Sequence, residues 1–283
     1  MQISSNTGQP RRTIMRAHGV CKRFEQKKMF ARKISVIEAL RDVDFEVVAS
    51  SVTALVGESG SGKSTLAKCL ALMDPPTSGE IWFEDAEVSR LERHELKWFR
   101  RAVQMVAQDA SGSLNPRFSA AKIISEPLEI NGWRSGARMS SRVCELMNEV
   151  GLLASWVERR PLEFSGGQRQ RLAIARALAL QPSLLILDES LSGLDLSTQA
   201  QILNLLLELQ ERHRLTLLLI SHDLGLVGQV ADYVAVMDQG QIVEQGPRQR
   251  VFAQPEHPHT RELLAAVRVI ESGFRAAHAG AGQ

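Results

Sequence analysis

The sequence predicts an α/β protein whose core is a mainly parallel β-sheet wrapped by helices. Three observations carry this prediction. Short apolar runs typical of buried strands alternate with segments of helical periodicity along much of the chain. A glycine-rich segment joins one apolar run to a helix, and a pair of acidic residues ends another run. Helices that alternate with strands return the chain to the same edge of the sheet, so neighbouring strands run parallel.

Composition limits the classes of protein that fit. The chain has 283 residues, of which 44% are hydrophobic, enough for a substantial core in one large domain or two smaller ones. Its net charge of +2 gives no electrostatic reason to expect a nucleic-acid partner. The cysteines, Cys21, Cys69 and Cys144, are widely spaced and predict neither a disulfide framework nor a zinc site. We find no signal peptide and no apolar run of membrane-spanning length, so any membrane role is expected to be peripheral.

The first part of the chain is predicted to be rich in strands. Residues 1–12 are polar and are expected to be disordered, and residues 26–33 are expected to form a basic loop. The predicted strands lie at 13–17, 43–48, 52–56, 80–83 and 104–106, and the predicted helices lie at 63–72 and 92–101.

From about residue 109 to residue 165 the pattern is helical and predicts an inserted helical subdomain. Strand-like runs return after it and again alternate with helices. The predicted helices of the insert lie at 120–130 and 140–150; the strands beyond it lie at 184–187, 215–220 and 233–237, and the helices at 197–212 and 224–230. Residues 266–283 are expected to form a short tail.

A phosphate-binding loop pattern, G-x-x-x-x-G-K-[ST], follows the predicted strand at 52–56 and precedes a predicted helix. Glycines are needed because the loop turns tightly and brings its backbone N–H groups against phosphate oxygens. We expect Lys63 to meet the β and γ phosphates of a nucleotide and Ser64 to bind Mg²⁺. A glycine-rich surface turn is the alternative, which the flanking strand and helix disfavour. The predicted nucleotide-binding residues are Gly57, Glu58, Ser59, Gly60, Ser61, Gly62, Lys63, Ser64 and Thr65.

Two acidic residues, Asp188 and Glu189, directly follow the apolar run at 184–187. In a doubly wound sheet, the carboxyl end of such a strand faces the ligand crevice. We therefore expect Asp188 to hold Mg²⁺, directly or through water, and Glu189 to act as general base towards an attacking water. The alternative is a strand that ends in a solvated acidic turn, and the upstream phosphate loop disfavours it.

The segment Phe164-Ser165-Gly166-Gly167-Gln168 resembles the L-S-G-G-Q signature of the nucleotide-binding subunits of ABC transporters, with phenylalanine in place of the usual leucine. Ser165 is predicted to cap the following helix, whose dipole and first amides form a second anion-binding surface. In that family, two subunits pack head to tail, and each ATP lies between one chain's phosphate loop and the other's signature. The resemblance thus implies binding in trans by Ser165, Gly166, Gly167, Gln168 and Asp195.

The resemblance covers about residues 13–265 and implies one domain with the ABC ATPase fold. That fold combines a RecA-like P-loop NTPase core, an antiparallel β subdomain and the helical insert. Gln108 resembles the glutamine that touches Mg²⁺ and the attacking water, and His222 resembles the histidine that contacts the γ-phosphate. Phe24 resembles the aromatic residue that stacks on adenine. Phe30 is a nearby competitor for that role, and a buried core position is an equal alternative for Phe24.

Local matches at 113–117, 125–128 and 246–260 are similar to importers of oligopeptides, dipeptides and nickel. This branch implies ATP hydrolysis that energises import, two membrane permease subunits, an extracytoplasmic substrate-binding protein and a second, related ATPase chain. It implies a peripheral subunit at the cytoplasmic face of the inner membrane. No cysteine follows Cys144, so the iron–sulfur cluster of some branch members is not expected. Peptides, nickel, metal chelates and opines all remain as substrates.

Two other functions fit parts of the pattern. A soluble ABC ATPase acting on DNA or ribosomes would usually carry two nucleotide domains, or a long coiled-coil or zinc insertion before the signature. The stretch between Lys63 and Ser165 has room only for a compact helical insert. A P-loop kinase or GTPase acting alone would explain the phosphate loop but would leave the signature and His222 without a role.

Overall fold

The structure of the chain, a computed structural model, describes residues 12–27, 34–92 and 94–266. The predicted disordered terminus at 1–12 and the predicted tail at 266–283 therefore lie almost wholly outside the described residues. Phe30 and most of the predicted basic loop also lie outside them.

An antiparallel sheet contains four strands: β1 (Thr13–Lys27), β2 (Ile34–Val48), β4 (Ser78–Phe83) and β5 (Ala86–Glu87). Their spatial order is β2-β1-β4-β5. Strands β1 and β2 are 15 residues each, much longer than predicted, and the predicted loop is wrong at residues 26 and 27, which belong to β1. Charged residues interrupt both strands at irregular intervals, so no long apolar run and no regular alternation predicts their full length from the sequence.

The second sheet consists of β3 (Val52–Val56), β6 (Val103–Val106), β7 (Leu184–Asp188), β8 (Thr216–Ser221), β9 (Tyr233–Asp238) and β10 (Gln241–Pro247). Their order is β10-β9-β3-β8-β7-β6. Every neighbouring pair is parallel except the β9–β10 hairpin. The predicted mainly parallel sheet and the antiparallel β subdomain are therefore confirmed.

Outside the helical stretch at 110–178, the helices alternate with strands as predicted. The helices are α1 (Lys63–Leu70), α2 (Lys97–Ala102), α3 (Ala110–Ser113), α4 (Ala120–Ile130), α5 (Ala137–Glu149), α6 (Gly166–Leu178), α7 (Leu196–His213), α8 (Leu224–Val230) and α9 (Arg248–Ala253). Residues 258–266 are also helical. Helix α2 begins five residues later than predicted, at Lys97 rather than residue 92, and β10 and α9 were not predicted.

The core lies on both faces of the parallel sheet. In β7, Leu184 and Ile186 belong to a cluster shared with β1, β2 and α1, whereas Leu185 and Leu187 belong to a cluster shared with α4, α5 and α6. All four side chains are at most 1% exposed. Burial on both faces explains why these strands are continuous apolar runs in the sequence.

The same sheet brings the predicted site residues to one edge. Strands β3, β8 and β7 are parallel neighbours, with Val56 paired to Ser221 and Ile220 paired to Asp188. Their carboxyl ends therefore lie side by side. The phosphate loop follows β3, Glu189 follows β7, and His222 follows β8.

Candidate nucleotide site

The phosphate loop joins β3 to α1 and packs closely against two other strands. Gly57 and Gly62 have φ angles of +151° and +110°, in the region that favours glycine. A Cβ atom on Gly57 would lie 2.1 Å from the carbonyl oxygen of Met237 in β9. A Cβ atom on Gly62 would lie 2.7 Å from the carbonyl oxygen of Ala39 in β2. Both positions therefore require glycine, because backbone approaches backbone there.

Lys63 lies at the centre of this loop. Its Nζ donates to the carbonyl oxygens of Gly57 at 2.8 Å and Glu58 at 2.6 Å, and the residue is only 3% exposed. Burial lowers the pKa of Lys63, while the nearby carboxylates Glu189 and Asp188 oppose that shift. Helix α1 begins at Lys63 without a side-chain cap, so its first N–H groups and its dipole are available to an anion.

A hydroxyl and a carboxylate meet beside Lys63. The Oγ of Ser64 donates to Oδ1 of Asp188 at 2.8 Å, and Asp188 is 4% exposed at the end of β7. Burial raises the pKa of Asp188, and the hydrogen bond from Ser64 opposes this shift. Two oxygen donors beside a phosphate-binding loop fit the preference of Mg²⁺ for carboxylate and hydroxyl ligands. The predicted magnesium residues Ser64 and Asp188 are therefore adjacent.

Gln108 and His222 converge on the carboxylate of Glu189. The Nε2 of Gln108 donates to Oε2 of Glu189 at 3.0 Å. The Nδ1 of His222 lies 3.9 Å from Oε1 of the same carboxylate. The structure therefore brings together all three side chains predicted to be catalytic, although they lie on loops after three different strands.

The backbone of Glu189 holds a conformation that is uncommon for a residue with a side chain. Its φ angle is +44°, a region disfavoured for residues other than glycine. Three hydrogen bonds hold it. Its N–H donates to the carbonyl oxygen of Ile220 at 3.0 Å, and its carbonyl oxygen accepts from the N–H of Ser192 at 3.0 Å and from Oγ of Ser192 at 2.6 Å. Such strained residues cluster at functional sites, where the surrounding structure fixes the side chain.

An open cleft of about 450 Å³ lies beside these groups. Part of its wall comes from the phosphate loop, α1 and the predicted catalytic residues Gln108 and Glu189, and another part comes from β2, at Ile37, Glu38, Ala39 and Arg41. The turn between β9 and β10 lies at its margin. The cleft therefore combines backbone of the phosphate loop, hydroxyl groups, and acidic and basic side chains of a single chain.

The predicted signature begins α6 with its own capping interactions. Ser165 Oγ accepts from the N–H of Gln168 at 3.3 Å, and Gln168 Oε1 accepts from the N–H of Ser165 at 2.9 Å. A Cβ atom on Gly167 would lie 2.5 Å from Cγ2 of Thr198 in α7. Asp195 caps α7 through the N–H of Thr198, and that backbone hydrogen bond lowers the pKa of Asp195. The predicted cap by Ser165 is confirmed.

None of the residues predicted to bind the nucleotide of an opposing chain lines the cleft that the described residues form.

A family model described as "ABC transporter" matches residues 40–192 of the chain. The chain belongs to the ABC transporter family. A probable peptide ABC transporter ATP-binding protein of Sinorhizobium fredii, y4tS, is 48% identical over 240 residues, which are 85% of this chain and 68% of that protein.

Two further comparisons place this ABC transporter chain among ATP-binding proteins. The glutathione import ATP-binding protein GsiA of Escherichia coli K12 is 43% identical over 259 residues, or 91% of this chain, which spans only 42% of GsiA. The ATP-binding cassette MJ0796, solved as a dimer with ADP and Pi, has a TM-score of 0.73 and 27% identity, covering 83% of this chain and 98% of that one. The predicted ABC ATPase fold and ATPase class are confirmed.

In this ABC transporter chain, the sequence did not predict that residues of β2 line the cleft. Ile37 and Arg41 were outside every predicted strand, because the strand at 43–48 is only the last part of β2. Phe24 lies in β1 opposite Ile37, and Nζ of Lys22 is 5.3 Å from its ring centroid. Phe24 is 39% exposed, so the alternative of a buried core position is wrong. It is not among the residues that line the cleft.

Proposed function

We propose that this chain hydrolyses ATP in a site completed by a second cassette and thereby energises an importer of peptides. The observation that carries the proposal is the gathering of Lys63, Ser64, Asp188, Gln108 and Glu189 around one cleft. A phosphate-binding loop without the acidic groups would support nucleotide binding alone. The strained, hydrogen-bonded Glu189 adds a group suited to proton transfer.

Each residue has a distinct part in the proposed reaction. Lys63 and the first N–H groups of α1 bind the phosphate chain, because both present positive charge to it. Ser64, Asp188 and Gln108 would hold Mg²⁺, which neutralises charge on the phosphate oxygens when it is bound. Glu189 accepts a proton from the attacking water as the water oxygen bonds to the γ-phosphorus. The bond from that phosphorus to the β–γ bridging oxygen breaks, and ADP and phosphate are the products.

Gln108 and His222 position the reacting groups. Gln108 holds the Glu189 carboxylate through the hydrogen bond at 3.0 Å and thereby orients the general base. His222 has a side chain that is 60% exposed, so it can reach the γ-phosphate as well as Glu189. Phe24 stacks on the adenine as an exposed aromatic ring next to β2.

The second half of the site comes from another cassette. Ser165, Gly166, Gly167 and Gln168, with Asp195, contact the nucleotide held in the phosphate loop of the opposing chain. Their position away from the cleft of their own chain supports this arrangement. MJ0796, a relative in fold, is described as dimeric with ADP and Pi. We propose a related but different chain as the partner, as in the importer branch that the sequence resembles.

The membrane partners are proposed to be two permease subunits, with a substrate-binding protein on the outer side. None of the helices within the described residues has the length and apolar character needed to cross a bilayer. We place the chain at the cytoplasmic face of the inner membrane, held there by the permeases. Peptides are the favoured substrate class, because the relatives named above are a peptide transporter protein and a glutathione import protein. Neither of those two relatives is named for nickel.

The experiment is affinity purification of the full-length chain from detergent-solubilised membranes, with the associated proteins identified by mass spectrometry. We expect permeases and a second ATPase chain. Uptake of a labelled peptide by vesicles that contain this complex should require MgATP and should be lost in the Lys63→Ala variant. Recovery of the chain with ribosomes or DNA, without permeases, would contradict the proposal and favour the soluble ABC ATPase.

A further inference from the structure

One wall of the cleft carries a cation that the proposed reaction does not yet use. Four residues of β2 line the cleft, at a part of the strand where the pairing with β1 shifts register: Ile37, Glu38, Ala39 and Arg41. Leu40, between Ala39 and Arg41, is 1% exposed in the core. This wall therefore contributes one acidic residue, Glu38, and one basic residue, Arg41, to the cleft.

The backbone of Arg41 is tied to the phosphate loop through one residue. Its N–H donates to the carbonyl oxygen of Gly240 at 2.8 Å, and the N–H of Gly240 donates to the carbonyl oxygen of Ser61 at 2.8 Å. The close packing of Gly62 against Ala39 ties the same strand to the loop a second time. The guanidinium of Arg41 is consequently attached to a backbone that is fixed relative to the phosphate loop.

Within the part of the chain that the structure describes, the charge of Arg41 is only partly compensated by a carboxylate. Among the described residues, its ion pair is with Glu38, and the distance from Nε to Oε2 is 4.0 Å, too long for a hydrogen bond. The other carboxylate oxygen of Glu38 accepts from Nε of Arg23 at 2.8 Å. The side chain of Arg41 is 50% exposed. It therefore has donors to offer to an anion in the cleft, and a guanidinium matches the geometry of phosphate oxygens.

We propose that Arg41 donates hydrogen bonds to a phosphate group of the nucleotide bound in the same chain. This inference rests on the proposed function, since it requires a nucleotide in this cleft. Arg41 adds a side-chain contact from β2 to the backbone contacts of the phosphate loop. Arg41 thus favours nucleotides with a phosphate chain and raises their affinity before a second cassette closes the site.

Arg23 offers a matched control. It pairs with the same Glu38, its side chain is 57% exposed, and it carries the same charge, yet it does not line the cleft. Substitution of either arginine by glutamine removes one positive charge and one ion pair with Glu38. Only the loss of Arg41 removes a donor from the cleft.

The test measures ADP binding to the full-length chain by isothermal titration calorimetry, with wild type, Arg41→Gln, Arg41→Lys and Arg23→Gln. ADP is used because it is not hydrolysed and needs no second cassette. We expect Arg41→Gln to raise the Kd about tenfold, the magnitude of losing one charge-assisted hydrogen bond. Arg41→Lys should recover part of the loss, and Arg23→Gln should stay near wild type. The difference should shrink as salt is added, because salt screens an exposed charge.

Equal affinities of Arg41→Gln and wild type would overturn the inference while leaving the proposed function intact. Equal weakening by Arg23→Gln and Arg41→Gln would also overturn it, because the effect would then belong to the surface charge around Glu38. A wild-type chain that binds no ADP would instead contradict nucleotide binding itself. Thermal unfolding of each variant separates loss of binding from loss of folding.

Discussion

The two helix N-termini that the sequence marks for anion binding differ in how their first N–H groups are satisfied. At α1, Gly62 provides no side-chain cap, and a buried lysine and two carboxylates lie close by. At α6, Ser165 and Gln168 cap each other reciprocally. The phosphate loop is thus built to bind an anion with groups of its own chain. The signature helix satisfies its own donors and, in our proposal, meets its anion only across an interface.

The largest expected effect is on ATP hydrolysis, through the acidic residue beside the phosphate loop. Glu189→Gln removes the general base but keeps the shape of the side chain and its ability to pair with Gln108. We expect ATP hydrolysis to fall by about 100-fold or more, while binding of MgATP is retained. Steady-state turnover and equilibrium binding, measured on the same preparation, separate the two. Unchanged turnover would remove Glu189 as the base.

The next largest expected effect is a loss of stability when the packing of the signature helix α6 against α7 is disturbed. Gly167→Ala would place a Cβ atom 2.5 Å from Cγ2 of Thr198, so we expect a loss of about 2 kcal/mol in the free energy of unfolding. Thr198→Ser removes Cγ2 but keeps the hydroxyl that donates to Asp195. Adding that change to Gly167→Ala should restore most of the lost stability, as measured by urea unfolding.

Gly166 provides the control for this prediction. A Cβ atom there would lie 3.7 Å from Leu194, an ordinary contact. Gly166→Ala should therefore leave stability unchanged or slightly raised, because alanine favours a helix. Equal destabilisation by the two alanine substitutions would show that the contact with Thr198 is not the cause.

A smaller effect is expected from Ser165→Ala, which tests whether Ser165 contacts the nucleotide of the opposing chain in addition to capping α6. Ser165→Ala should lower stability by about 1 kcal/mol, as should Ser119→Ala, which removes the cap of α4. Only Ser165→Ala should also slow ATP hydrolysis by the assembled complex, by about tenfold. ADP binding to the single chain should be unaffected by either change. Weaker ADP binding in Ser165→Ala would mean that the signature serves its own cleft.

The smallest expected effect is on the pH dependence of stability, through a carboxylate in the β9–β10 hairpin. Glu244 in β10 accepts hydrogen bonds from the N–H groups of Glu256 and His257, both at 3.1 Å. Burial raises the pKa of Glu244, but these backbone hydrogen bonds contribute to a net pKa below the ordinary value of 4.5. Because the folded pKa is the lower one, the stabilisation is present above pH 4.5 and is lost as pH falls through the folded pKa.

Unfolding by urea at a series of pH values checks this linkage. The stability difference between wild type and Glu244→Gln should be constant near neutral pH and should shrink in acid. A difference for Glu244→Gln that persists unchanged in acid would contradict the linkage.

The sequence predicted the site residues best where the functional side chains and the backbone that positions them lie within one short segment. The glycines of the phosphate loop, the acids after β7 and the serine that caps α6 were predicted because local geometry demands those residue types. Arg41 was not predicted, because its contact with the cleft depends on pairing between β1 and β2 and on the β9–β10 turn. Strand β2 itself was only partly recognised, because only its second half alternates charged and apolar residues. Its first half contains the adjacent apolar pairs Val36-Ile37 and Ala39-Leu40, and its pairing with β1 shifts register from Glu38 onwards.

The central claim is that one ATP is held by the phosphate loop of one chain and the signature of another. A structure of the assembled complex that contains Glu189→Gln and MgATP measures this directly. We predict that Ser165 Oγ lies within about 3.5 Å of a γ-phosphate oxygen bound in the opposing cassette's loop. An ATP enclosed by a single chain, with Ser165 remote from every γ-phosphate, would contradict the claim.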